Sequence, residues 1–169
     1  MKKNIKRLLY LFLIVFGIGF MVYLVRSTPF SFPNPPQDSV QSKEDADIES
    51  PLRRAYFTNY TREEVIAHYK NQFRMRPLTL ELNYPPEDAQ TLIRDQTRSV
   101  YLEELVHPFR ESLYINGFVA QVAKDDIWYK GIHYQEKITV KYVPSSVVVR
   151  VIFALATLLI MAWMIHEYV

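Results

Sequence analysis

Both ends of the chain carry an apolar run longer than a small domain can hide. Leu8 to Val25 holds eighteen residues without a charge, bounded by Lys2, Lys3, Lys6 and Arg7 on one side and Arg26 on the other. As a helix rising 1.5 Å per residue it reaches about 27 Å, close to the hydrocarbon thickness of a bilayer. Val147 to Ile165 reads VVVRVIFALATLLIMAWMI, apolar except for Arg150, and only His166, Glu167, Tyr168 and Val169 follow.

A secretory signal has a shorter apolar stretch, about 7–15 residues, and a small-x-small cleavage site. Here the first run closes on Tyr-Leu-Val-Arg and then Ser27-Thr28-Pro29, with no Ala-x-Ala pattern. It therefore reads as a retained anchor, and the chain as a two-pass protein of the cell membrane. Four Lys/Arg in the first seven residues predict a cytoplasmic N-terminus, which places residues 26–146 outside and returns the C-terminus to the cytoplasm. Arg26 and Arg150 are expected at one interface, with the Arg150 stem lying along the lipid and its head at the boundary. Trp163 and Tyr168 suit the other interface, where aromatic rings are favoured. The predicted organisation is a basic tail (1–7), a first span (8–25), a Pro-rich acidic linker (26–52), a folded domain (53–146), a second span (147–165) and a short tail (166–169).

The chain's net charge of +2 divides unevenly. Between Ser27 and Ser146 there are 14 Lys/Arg against 17 Asp/Glu, so the basic balance belongs to the membrane flanks. A nucleic-acid partner calls for a basic patch on the folded part, and none is expected here. The chain has no cysteine, which excludes disulfides, thiolate nucleophiles, zinc–cysteine sites and iron–sulfur clusters.

Within residues 26–52, Pro29, Pro33, Pro35, Pro36 and Pro51 oppose helix and sheet, and Asp38 to Glu49 holds five acids against Lys43 alone. That composition predicts an extended, partly disordered spacer. Beyond it, Ala55 to Thr58 reads as a short strand. Thr61 and Glu64 then form a capping box, with Tyr60 and Val65 as a hydrophobic staple. Val65, Ile66, Tyr69 and Phe73 line one face of the resulting helix. Leu78 to Asn83 alternates with period two, as a half-buried strand does. Pro86 opens a second helix with Ala89, Leu92 and Ile93 turned inward. Thr97 to His107 is expected to be a strand. Asn116-Gly117 lies between two apolar runs and predicts a hairpin turn. A long strand carrying Ile132, Tyr134, Ile138, Val140 and Tyr142 on one face leads through Pro144-Ser145-Ser146 into the second span. The element order predicts an α+β fold, mostly antiparallel sheet with two helices packed on one face.

No catalytic constellation emerges. There is no HExxH metal motif, no Gly-x-Ser-x-Gly elbow and no Gly-rich phosphate loop, so neither a metal nor a cofactor is expected. His68 reads as solvated on the flank of the capped helix, and His133 as lying on the polar side of its strand. In YLEELVHPFRES, charged residues sit among apolar ones, which makes Glu104, His107 and Arg110 a candidate ligand or enzyme site, against a salt-bridged structural knot. Trp128 and Tyr129, expected in a loop, are candidates for protein or lipid contact. Gly17, Gly19, Ala154 and Ala156 leave room for the spans to pack on each other or to self-associate, without a GxxxG spacing. The expected function is a non-catalytic scaffold or interaction subunit of an envelope complex, with membrane lipids and other membrane proteins as partners.

Overall fold

The computed structural model describes residues 2–26, 31–74, 78–95 and 98–168. The start of the expected spacer, 27–30, and Thr97 of the expected strand lie outside these. The protein is α+β, with a mostly antiparallel sheet and two helices at the termini long and apolar enough to cross a membrane. It divides into two compact units, residues 31–144 and the pair of terminal segments.

In the terminal unit, α1 (Lys2–Val25) and the last helix (Val147–Tyr168) run antiparallel. Lys6 Nζ donates to the carbonyl of His166 at 2.8 Å and the Tyr10 hydroxyl to that of Ala162 at 3.3 Å. Gly17 faces Leu158, whose methyls would lie 3.3 Å from a Cβ at that position. The missing side chain lets the two helices close together. Only 17% and 11% of their apolar windows are buried. Leu8, Phe12, Val15, Ile152, Phe153 and Leu159 all point away from the pair.

In the other unit, β1 (Val40–Gln41), β2 (Arg53–Thr58), α2 (Arg62–Gln72), β3 (Leu80–Tyr84), α3 (Ala89–Leu92), β4 (Tyr101–Val106), β5 (Ser112–Val119), β6 (Ile127–Tyr129), β7 (Ile132–Tyr134) and β8 (Glu136–Val143) follow in sequence, which makes the last helix α4. Six strands form one antiparallel sheet in the order β1-β2-β8-β5-β4-β3, and β6 and β7 make a separate hairpin. The capping box forms as expected, with Thr61 N–H donating to Glu64 at 2.8 Å. Val65, Ile66, Tyr69 and Phe73 of α2 pack on one face of the sheet against Tyr56, Tyr101, Leu105, Leu113, Ile115, Ile138 and Val140. On the opposite face α3 lays Ala89 and Ile93 over Leu102, with Leu92, Tyr84 and Tyr114 alongside. The two helices therefore cover opposite faces of the sheet rather than sharing one.

Five local expectations give way. Asn116 and Gly117 do not turn the chain; they lie inside β5, paired with Thr139 and Ile138. Gly117 is there because the Tyr101 ring and the Glu136 carboxylate occupy the space a Cβ would need. The tight turn sits instead at Lys130-Gly131, both with positive φ, joining β6 to β7. Trp128 and Tyr129 are thus in a strand, not a loop. The long strand breaks at Gln135, whose N–H donates to the Asn59 side chain at 3.0 Å. The strand at 80–84 is not half-buried, since Leu80 and Leu82 are 51% and 40% exposed.

The fifth concerns the spacer. Phe32 is buried in the main core with the Arg54 guanidinium 4.4 Å above its ring. Asn34 holds the side chains of His68 and Gln72, so His68 is engaged rather than solvated. Val40 and Gln41 add an edge strand to β2. The acids that suggested disorder supply counter-charges to cations on the sheet: Lys137 Nζ lies 2.7 Å from Glu44 and 2.8 Å from Asp47. Pairing of that kind offsets the ordering entropy that composition alone leaves uncovered.

Candidate functional site

Glu104, His107 and Arg110 are neighbours in sequence, but the sheet separates them. Side chains alternate along a strand, so residues 104 and 107 face opposite ways. Glu104 points to the α3 side, where it accepts from the Tyr84 hydroxyl at 2.6 Å. That bond pushes the Tyr84 phenol up to about 12. The Tyr114 phenol beside it is raised by burial and by the same carboxylate.

His107 and Arg110 stay together at the turn between β4 and β5. The His107 ring stacks on Phe73, with centroids 4.2 Å apart and planes 2° from parallel. Its Nε2 lies 2.8 Å from the Phe73 carbonyl, which can only accept, so that nitrogen carries a hydrogen. Nδ1 lies 2.8 Å from Glu111 Oε1, and Arg110 reaches the same oxygen at 3.1 Å. All three of His107, Arg110 and Glu111 are buried. The group ties the end of α2 to the β4–β5 turn.

The strongest buried charge cluster lies elsewhere, on the α3 face of the sheet. Arg53, 5% exposed, stands between Asp47 at 4.0 Å and Asp95 at 3.9 Å and donates to the Ala46 carbonyl. Asn116 donates to Asp95 at 2.9 Å. Lys137 joins through Asp47. Glu44, Asp47, Glu49, Arg53, Arg94, Asp95 and Lys137 line a cavity of about 360 Å³. The next cation, Lys141, is desolvated and stands near Arg94 and Arg53, which holds its ammonium below the usual lysine range. Carboxylates and cations alternate here and neutralise each other, so the cavity favours neither a free anion nor a metal. Sequence reasoning missed this cluster because its members come from positions 44 to 141 and meet only once the sheet forms.

A second buried carboxyl, Glu136, lies on the α2 face, 1% exposed, and accepts a hydrogen bond from the Tyr101 hydroxyl. Burial and the nearby Glu63 carboxylate raise it to about 7. Arg62 stands 5.2 Å above the Tyr101 ring and pairs with Glu103.

Among the described residues, no group of three or more His, Asp or Glu side chains has the arrangement to hold a metal ion. Of the expected interface residues, Trp163 and Tyr168 are exposed on α4 at 58% and 77%. Arg26, just past α1, is exposed. Arg150 is buried and donates to the Ser145 carbonyl, so its head points towards the start of α4.

The outer surface of β3 differs in kind from these buried groups. It pairs with β4 and forms an end of the sheet. Leu80 and Leu82 stand on one side of it, both exposed, with Leu78 just before them at 40%. Natural edge strands are usually blunted by charge, proline or a bulge. On this side of β3 the run is leucine at alternate positions.

Compared with protein-family models, with curated proteins and with solved structures, the chain matches none.

Proposed function

We propose that the chain is a two-span protein of the cell membrane, both termini cytoplasmic and residues 26–146 outside, whose α+β domain is a non-catalytic interaction subunit of an envelope complex. The observation that carries this reading is the β3 edge. A strand that among the described residues pairs on one side only, with leucines exposed at alternate positions, is the template for strand addition. The backbone supplies affinity and the leucines select a partner segment with apolar side chains at every second residue. The membrane assignment draws support from the two terminal helices, whose apolar surfaces are largely unburied and which pack on each other through Gly17. That packing favours an N-terminal anchor that is kept over a signal that is cut away.

The rival reading, a ligand sensor or enzyme around Glu104, His107 and Arg110, needs those three groups in one pocket. Glu104 faces the α3 side of the sheet, away from the His107 ring, and this separation favours the interaction reading.

Co-purification from native membranes tests the proposal. Full-length chain should bring down membrane partners in fixed ratio, and a Leu80→Glu/Leu82→Glu variant should lose them. Both leucines are exposed at an edge, so the variant should keep its fold. A variant that retains every partner would move the interaction off β3. Bait that comes off alone, from membranes where it is abundant, would end the scaffold reading.

A further inference from the structure

The residue pattern of β3 suits a strand that pairs with itself. Its residues run Leu80-Glu81-Leu82-Asn83-Tyr84 and pair one for one with β4, from Leu80 with Val106 to Tyr84 with Leu102, without a bulge. A regular edge with neither bulge nor proline keeps the geometry that a further strand needs. Alternation divides these residues between the two faces of the sheet. Tyr84 reaches Glu104 on the α3 side, so Leu80 and Leu82 stand on that side with it. Glu81 reaches Lys70 of α2, so Glu81 and Asn83 stand on the other. The charge on the strand thus has its counter-ion within its own domain, while the α3 side presents apolar groups.

A two-fold axis normal to the sheet is a closed way for two identical edges to meet. It makes the two strands antiparallel and keeps the leucines of both copies on one side. Residues directly opposite each other share a face, so the axis passes through a residue rather than between two. An axis at Glu81 sets two carboxylates directly opposite each other, which is destabilising. An axis at Asn83 sets Pro85 and Pro86 of one copy opposite Glu81 and Leu80 of the other, and proline has no N–H for the ladder. An axis at Leu82 avoids both and pairs the whole strand. Leu82 then meets Leu82 of the second copy, Leu80 meets Tyr84, and Glu81 meets Asn83, whose amide can donate to the carboxylate. Each Glu81 keeps Lys70 as its counter-charge. The leucines and tyrosines of both copies form one apolar stripe across the seam, at a spacing where cross-strand side chains touch.

We propose that the strand received at the β3 edge is β3 of a second copy of this chain, joined about a two-fold axis at Leu82 so that two six-stranded sheets become one. This rests on β3 taking a partner strand, as proposed above, and specifies the partner.

The chain has no cysteine, so introduced cysteines report proximity without background. Opposite Cα atoms in an antiparallel pair lie about 4.5–5.5 Å apart, within the separation a disulfide spans. Full chain carrying Leu82→Cys would be oxidised in native membranes with copper–phenanthroline and the products separated without reductant. It should give a disulfide-linked dimer of the chain. Leu80→Cys should give several-fold less, because the two copies of residue 80 are offset by about 13 Å along the strands. Glu81→Cys and Asn83→Cys on differently tagged copies should link to each other more than either links to its own kind. All these positions are exposed on an edge, so the variants should keep their fold. Equal yields from positions 80 and 82, or no dimer from either, overturn the proposal. A Leu80→Glu/Leu82→Glu variant then separates the partner from the edge. If it sheds other membrane proteins while Leu82→Cys gives no dimer, the edge takes a strand of a different protein and only the second copy is refuted. If it sheds nothing and no dimer forms, β3 takes no partner strand and both proposals fall.

Discussion

Replacing Glu136 with Gln should make the domain more stable at pH 8 and leave it nearly unchanged at pH 5. The carboxyl is 1% exposed and held by the Tyr101 hydroxyl, and burial, with Glu63 nearby, lifts it from 4.5 to about 7. A raised carboxyl binds its proton more tightly in the folded state than in the unfolded state. Its contribution to stability is therefore full below pH 4.5, declines as pH rises, and is gone above pH 7. At 1.36 kcal/mol per unit, the loss across that window is about 3 kcal/mol. Glutamine keeps the shape and cannot ionise, so the variant should lack this component of the pH dependence. The assay is urea unfolding of the full chain in detergent micelles, read by pulse proteolysis from pH 5 to pH 8. All other ionisable groups are common to both proteins and cancel in the difference. Wild type and Glu136→Gln should converge at pH 5 and separate by about 3 kcal/mol at pH 8. Parallel curves over the whole range would refute the reasoning, because Glu136 would then ionise alike in both states.

His107→Ala removes the stack on Phe73 and two buried hydrogen bonds, and should cost about 2–4 kcal/mol in the same assay. A loss under about 1 kcal/mol would show that the pin is dispensable. Gly117→Ala should prevent folding or cost more than about 3 kcal/mol, since the new Cβ meets the Tyr101 ring and Glu136; soluble, protease-resistant domain at wild-type levels would contradict the packing described. Asp95→Ala leaves Arg53 and Asn116 short of a buried acceptor and should destabilise by about 2–4 kcal/mol, whereas Asp126→Ala on the exposed hairpin should stay within about 0.5 kcal/mol. Equal effects of the two would mean that the buried charge cluster contributes nothing.

Features set by near neighbours were legible in the sequence. Thr61 and Glu64 satisfy each other's backbone within one turn, so the start of α2 could be read from four residues. The apolar runs that became α1 and α4 needed only their length. Features set by distant partners were not. Asn116-Gly117 has the chemistry of a turn, yet Asn116 is used to hold Asp95 and Gly117 to admit Tyr101, both from elsewhere in the chain. The acids from Asp38 to Glu49 look solvated until Arg53 and Lys137 line up on one face of the sheet. Glu104, His107 and Arg110 are close in sequence, but strand alternation sends Glu104 to the other face from His107. The long strand into α4 hid the β6–β7 hairpin, because the Lys130-Gly131 turn carries a weaker signal than Asn-Gly.

The central claim is that the β3 edge receives a partner strand. A photo-crosslinking amino acid placed at Leu82 in the full chain, in native membranes, tests it most directly, with the same group at Lys124 as the comparison. Illumination should give a discrete adduct with another protein from position 82 and none from position 124, and peptide mapping should find the crosslink in a segment with apolar residues at alternate positions. No adduct from position 82, in membranes where the chain is folded and abundant, would contradict the claim.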